Sequence, residues 1–163
     1  MTSSTTRILA PALAAFIREM PKVELHVHFL GAMQPETVLE LARRNSVSLP
    51  YDTLEGLREW YRFRDFRHFI DVYMEAVRVT DTVDDIEYAA WAFLQGQAAQ
   101  NIVYSEMTYT PRLDHLKNNA LPFSEQLAAL NRARQRAEVE LGVSMGIVID
   151  FPRDITADDA DLY

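Results

Sequence analysis

Two histidines, His26 and His28, are the residues of this sequence whose type and spacing most directly suggest chemistry. Residues two apart on a β-strand point to the same face and lie about 6.6 Å apart along it. Two imidazoles at that spacing can converge on one metal ion, at about 2.0–2.1 Å each. The alternative is an ordinary strand, with one histidine bonded to a carbonyl group and the other to water. The residues that follow the pair favour the metal site.

The segment around the histidines alternates polar and apolar residues, which predicts a strand. One face would carry Glu24, His26 and His28, and the opposite face would carry Val23, Leu25 and Val27. In a parallel barrel the apolar face packs on helices and the polar face lines the mouth. Gly31 then allows a tight exit, and Pro35 suits the first turn of a helix that can stop at Asn45.

The segment 22–37 fits the pattern Lys-x-Glu-Leu-His-x-His-x-x-Gly-Ala-x-x-Pro-Glu-Thr, and it resembles the opening signature of the adenosine deaminase family. That family belongs to the amidohydrolase superfamily of metal-dependent barrels. The segment 103–111, Val-Tyr-Ser-Glu-Met-Thr-Tyr-Thr-Pro, resembles the family's second barrel strand. The two matches imply an α/β fold, the N-terminal portion of a (β/α)8 TIM-type barrel with about three parallel strands.

Hydrophobic periodicity supplies the other elements. Thr82 and Asp85 predict a capped helix through residue 100, followed by a strand at 102–109. Ser124 predicts the cap of a helix at 126–141, which Gly142 ends before a strand at 143–150. Strands alternating with helices are expected in a parallel sheet.

An aromatic segment lies between the first two strands. Its apolar residues recur at helical spacing and comprise Phe66, Phe69, Ile70, Tyr73 and Met74. The resemblance implies that this insertion forms part of a lid over the pocket. Ordinary packing of aromatic side chains is the alternative.

The length predicts an incomplete barrel, because a full (β/α)8 barrel takes about 250 residues and this chain has 163. We therefore expect one domain over 1–163, the truncated N-terminal part of a metal-dependent deaminase barrel. Both outer strands of such a sheet would expose an edge, which predicts self-association.

The resemblance implies a zinc-dependent hydrolytic deaminase of an adenine-containing nucleoside, either adenosine or a 5′-modified adenosine such as aminodeoxyfutalosine. His26 and His28 match the family's first two zinc ligands, with one zinc per complete site. The family takes its remaining ligands and its proton-donating glutamate from later strands. Neither His68 nor His115 stands in a context that would replace them. This chain alone is therefore expected to hold no catalytic residue and to be inactive.

Four residues are candidates for substrate binding: His28, Leu30, Arg64 and Asp150. Leu30 stands where the family usually has an acid, which in the adenosine enzymes accepts a hydrogen bond from the 5′ hydroxyl. An apolar residue there predicts a 5′-extended substrate, as in the aminodeoxyfutalosine deaminases, or simply packs. Arg64 could pair with a benzoate carboxylate of that extension. Asp150 falls near the carboxyl end of the third strand, where barrels place their chemistry.

Composition limits the partners and the cellular location that the protein can have. A net charge of −8 and a pI near 4.9 argue against nucleic acid as a partner. The sequence has no run of about 20 apolar residues that could span a membrane, and no secretory signal is evident. We therefore expect a cytoplasmic protein. The resemblance implies a small purine nucleoside as its partner. The alternatives are a non-catalytic barrel fragment with a structural or binding role, or another amidohydrolase acting on a cyclic amide or phosphoester.

Overall fold

A parallel three-stranded sheet forms the centre of the computed structural model, which describes residues 10–111 and 121–150. Its strands are β1 (Lys22–His28), β2 (Ile102–Tyr109) and β3 (Ser144–Ile149). They lie in the order β1-β2-β3, and both pairings are parallel. The predicted α/β fold with three parallel strands is confirmed.

Six α-helices accompany the sheet in the described residues: α1 (Pro11–Glu19), α2 (Pro35–Arg44), α3 (Leu54–Trp60), α4 (Phe66–Arg78), α5 (Val83–Ala99) and α6 (Phe123–Leu141). A short 3-10 helix, Leu30–Ala32, follows β1 directly. Helices α5 and α6 lead into β2 and β3, so each is the crossover that parallel strands require. None of the described helices is long and apolar enough to cross a membrane.

The helix ends follow the sequence closely. The Thr82 hydroxyl accepts a hydrogen bond from the backbone N–H of Asp85, and the Asp85 carboxylate accepts one from the backbone N–H of Thr82, so the predicted capping box is present. Gly142 ends α6 in the left-handed region with φ of 68°. The prediction for the start of α6 is wrong, because the helix begins at Phe123 after Pro122 and Ser124 lies within it.

The apolar core lies on one side of the sheet, where buried residues of α2, α4, α5 and α6 pack together with those of β2 and β3. Its fully buried members include Leu94, Met107, Tyr109, Leu130 and Val143. The opposite side of the sheet is open in the described residues, where Val23 and Leu25 are 61% and 57% exposed. In a closed barrel that side faces the interior.

The open side and the sheet edges favour association of the isolated chain, a prediction that stays to be tested. Neither β1 nor β3 has a second neighbouring strand among the described residues, and Val148 on β3 is 47% exposed. We expect sedimentation velocity to show a weight-average mass that rises with concentration. Val148→Lys should lower that mass, because charge on an edge strand opposes pairing. A concentration-independent monomer for both proteins would contradict the prediction.

Substituting alanine for two glycines should have opposite effects on stability, because Gly142 ends α6 at positive φ and Gly96 lies inside α5. Gly142→Ala should lower the free energy of unfolding by about 1 kcal/mol, because alanine is strained at positive φ. Gly96→Ala, inside α5, should raise it by about 0.5–1 kcal/mol, since a Cβ there meets no atom within 4 Å. Urea titration followed by circular dichroism measures both. A change of the same sign in the free energy of unfolding of both variants would contradict this account of the two glycines.

Candidate metal and substrate site

The alternation predicted for β1 breaks at its centre. The register with β2 shifts between Glu24 and Val27, so that Leu25 and His26 together oppose one residue of β2. This is a β-bulge, and His26 sits in it with φ of 61°. Residues other than glycine rarely adopt that conformation.

The bulge changes which side chains share a face. The prediction that Glu24 points the same way as the two histidines is wrong for its carboxylate, which accepts a hydrogen bond from Gln97 of α5 at 2.8 Å. Residue 24 nevertheless lines the same cavity as both histidines. The prediction that Val23 and Leu25 pack on helices is also wrong, since both are largely exposed. An inserted residue reverses the inward and outward alternation of a strand.

The two histidines are brought together, as expected from their spacing. The ring centroids of His26 and His28 are 5.3 Å apart, with an angle of 73° between the ring planes. Two imidazoles that ligate one tetrahedral zinc at about 2.0–2.1 Å have centroids about 5 Å apart. The pair therefore fits two positions of a zinc shell. Within residues 10–111 and 121–150, no group of three or more His, Cys, Asp or Glu side chains is placed to hold a metal.

The other histidines do not join the pair in the described part of the chain. His68 lies on α4, is only 5% exposed and is flanked by the rings of Trp60 and Phe63, with centroids at 6.1 and 6.4 Å. Its Nδ1 accepts a hydrogen bond from the backbone N–H of Arg64 at 3.3 Å. His115 lies outside the described residues.

A cavity of about 610 Å³ opens in front of the histidines. Residues 24–28 of β1 line one side of it, together with Gly31 of the 3-10 helix and Thr110, which directly follows β2. The facing wall comes from α4 and consists of Phe66, Phe69, Ile70 and Tyr73. A cavity with an apolar wall and a few polar groups is the usual form of a small-molecule site.

Helix α4 presents its aromatic stripe to this cavity. The stripe has the predicted helical spacing, but it faces the cavity, whereas His68, Val72, Ala76 and Val77 form the buried side of the helix. Phe66 is 76% exposed. The rings of Phe66 and Phe69 stack at 6.1 Å, and those of Phe69 and Tyr73 stack at 6.4 Å. Periodicity identified the stripe without revealing which side of the helix the core covers.

Asp150 reaches the cavity indirectly. It follows β3, and its carboxylate accepts a hydrogen bond from the hydroxyl of Thr110, which lines the cavity. Its backbone N–H donates to the carbonyl of Tyr109 at 3.1 Å. Thr110 is a candidate site residue that sequence reasoning missed, and its position directly after β2 was the available indication.

Leu30 and Arg64 are placed away from the histidines. Leu30 turns inward on the 3-10 helix and is 4% exposed in the apolar core. The packing alternative considered for Leu30 agrees with that placement. Arg64 is exposed on a second cavity, which Trp60, Phe63 and His68 also line. The structure therefore brings neither residue to the cavity of His26 and His28.

Charged and buried groups attach the α3–α4 segment to α2. Arg58 of α3 donates to the carboxylate of Glu36 at the start of α2. The backbone N–H of Glu36 and then the Arg58 guanidinium lower the pKa of that carboxyl. Burial, with a smaller contribution from Glu36, raises the pKa of Tyr61 to about 12. Tyr61 therefore stays neutral and packed against the core at physiological pH.

Comparison with protein families identifies a relationship that covers most of the chain. Residues 21–160 match the family model described as "Adenosine deaminase". The adenine deaminase of Rhodospirillum rubrum is 38% identical over 146 residues, which are 90% of this chain and 43% of that protein. The adenine deaminase of Geotalea uraniireducens is 36% identical over 148 residues, which are 91% of this chain and 41% of that protein.

Solved structures give the same relationship. A crystal structure of adenine deaminase from Arthrobacter aurescens aligns with a TM-score of 0.73 and 34% identity, over 86% of this chain and 42% of that one. A zinc-bound amidohydrolase from Burkholderia ambifaria aligns with a TM-score of 0.79 over 96% of this chain and 43% of that one; at 24% identity it supports the fold. The chain thus spans less than half the length of each of these four relatives.

A two-histidine site should bind metal weakly and reversibly. Imidazole NMR of the 163-residue chain during a Zn²⁺ titration should shift the signals of His26 and His28 among its four histidines. A chelator should reverse the shift, because two neutral ligands leave the ion largely hydrated. Either His26→Ala or His28→Ala should remove the response, whereas His115→Ala should preserve it. Stoichiometric zinc that survives the chelator would contradict this prediction.

Proposed function

The chain belongs to the adenosine deaminase family, and from that premise we propose that it supplies the first metal ligands and one wall of the substrate cavity of a zinc-dependent hydrolytic deaminase. The proposed substrate is adenine or a compound that contains it. The convergence of His26 and His28 on a cavity with an aromatic wall carries the proposal.

His26 and His28 are proposed to hold the zinc, together with ligands from later strands of the barrel. A bound zinc would lower the pKa of a coordinated water toward about 7, which makes a nucleophile available at neutral pH. The zinc-bound amidohydrolase from Burkholderia ambifaria has the same fold over most of this chain and supports the choice of metal. In the proposed reaction the oxygen of water bonds to the ring carbon that bears the amino group, the C–N bond breaks, and ammonia leaves.

The wall formed by α4 is proposed to hold the purine ring. The aromatic faces of Phe66, Phe69 and Tyr73 lie within tilts of 22–28° of one another along the stack. A planar base gains about 1–3 kcal/mol from stacking on an aromatic side chain. The same rings exclude water from the reacting face, which strengthens electrostatic interactions there. A planar heteroaromatic substrate therefore suits this cavity better than a flexible one.

Among adenine-containing substrates, we favour adenine itself. The relatives from Rhodospirillum rubrum, Geotalea uraniireducens and Arthrobacter aurescens are all named adenine deaminases. A 5′-extended nucleoside, the expectation drawn from Leu30 and Arg64, would need both residues at the cavity. Leu30 is instead packed in the core, and Arg64 lines a separate cavity.

The test is ammonia release from adenine, adenosine and a 5′-extended adenosine by a zinc-loaded barrel that contains this chain together with the later strands that supply the remaining ligands. We expect kcat/KM to be greatest for adenine, and His26→Ala to abolish turnover. A preference for the 5′-extended substrate would instead support the hypothesis of a 5′-modified adenosine such as aminodeoxyfutalosine. Release from none of the three substrates would favour a non-catalytic role or another amidohydrolase reaction.

The aromatic wall provides a graded prediction. Phe69→Ala should raise KM for the purine by roughly ten- to hundredfold with a smaller effect on kcat, because it removes stacking worth about 1–3 kcal/mol. Met74→Ala is the matched control, since Met74 is an exposed apolar residue of the same helix that does not line the cavity. Steady-state kinetics of the two variants measure the difference. Equal effects would mean that the wall contributes only to folding.

A further inference from the structure

A chain of three polar side chains lies behind the bulge, within the helix–sheet layer. Gln97 of α5 donates through Nε2 to the Glu24 carboxylate at 2.8 Å, and its Oε1 accepts from the Ser105 hydroxyl at 3.1 Å. Gln97 and Ser105 are both buried. These three hydrogen-bonded side chains therefore connect β1, α5 and β2 at one position along the strands.

This position is the last regular pairing of β1 before the bulge. Glu24 pairs with Ser105, and the register shifts immediately after it. Two residues later His26 adopts φ of 61°. This conformation is unfavourable for any residue that has a Cβ, and it persists only where the surrounding structure imposes it. A strand free to slip by one residue would relax His26 and turn its ring away from His28.

The strand is also held on the other side of the bulge. The backbone N–H of Phe29 donates to the carbonyl of Thr108 at 2.9 Å, and His28 pairs with Thr108. With Phe29 buried in the core, this end is fixed by ordinary packing. The end at Glu24 is fixed by polar side chains that lie between the sheet and α5. Apolar residues at these positions could also stabilise the fold, and they would need no hydrogen-bond partners.

We propose that Glu24, Gln97 and Ser105 are positioning residues for His26: their hydrogen bonds hold the register that imposes the left-handed conformation and aims the imidazole at the ion shared with His28. The inference rests on the proposed function, since it assumes that the two histidines bind metal. Gln97 and Ser105 do not line the cavity of the two histidines, whereas Glu24 does.

The test measures the affinity of Zn²⁺ for the 163-residue chain by imidazole NMR, at a temperature where circular dichroism shows each variant folded. Gln97→Met keeps the length of the side chain and removes both hydrogen bonds, so it should weaken zinc binding by about tenfold. Glu24→Gln keeps an oxygen acceptor for Gln97 and should bind zinc nearly as the unmodified chain does. Ser105→Ala removes one of the two bonds and takes the place of Gln97→Met if that variant does not fold.

The matched control is Asn45→Ala, which removes a side chain bonded to Val79 and Asp85 at 2.8 Å each, away from β1. It should lower stability and leave zinc affinity unchanged. Equal losses of affinity for Gln97→Met and Asn45→Ala would overturn the positioning role.

The outcomes separate this inference from the proposed function. Unchanged affinity in both His26→Ala and His28→Ala would reject the metal site itself. Loss of affinity in those two variants, together with normal affinity in Gln97→Met and in Ser105→Ala, would reject only the positioning role.

Discussion

The β-bulge at Leu25 and His26 is the constraint on which the candidate site depends. A regular strand would place His26 and His28 on one face, but it would carry Glu24 to that face as well. The inserted residue separates these groups, so that the carboxylate enters the helix layer while both imidazoles face the cavity. The left-handed conformation of His26 is the local cost of that separation, of the order of 1–3 kcal/mol, and contacts on both sides of the bulge must offset it.

The elements around the bulge fix its surroundings. α5 approaches β1 and β2 closely enough for Gln97 to bond to both, and its start is set by the capping box of Thr82 and Asp85. The Asp85 carboxylate also accepts from Asn45 at the end of α2, which ties α5 to the helix that follows β1.

Much of the fold was predictable because its determinants are local. The spacing of apolar residues located β2 at 102–109, where the structure has it, and Pro35 and Gly142 marked the helix start and end that are observed. The bulge was not predictable in this way, since Glu24 and His26 alternate with apolar residues as a regular strand would. The bulge is accompanied by a contact between residues 73 positions apart, Glu24 and Gln97, which no local pattern reports.

The site was predictable in part for the same reason. The spacing of His26 and His28 placed both rings at one cavity, and the position of Asp150 after β3 placed it next to Thr110. The direction of Leu30 depends on the 3-10 helix that follows β1, and a sequence pattern does not determine it. Arg64 lines the second cavity, which is formed by α3 and α4, and no local pattern in the sequence indicates which cavity it lines.

Two apolar surfaces remain open in the described residues, and they have different physical origins. Val23, Leu25 and Val148 belong to the side of the sheet that a closed barrel places in its interior, so further strands would bury them. The aromatic stripe of α4 lies over the histidines at the carboxyl ends of the strands, where a closed barrel is open to ligands. Further strands would cover the first surface and leave the second facing the cavity. The exposure of Phe66 and Phe69 on the cavity is therefore compatible with the substrate-binding wall proposed for α4.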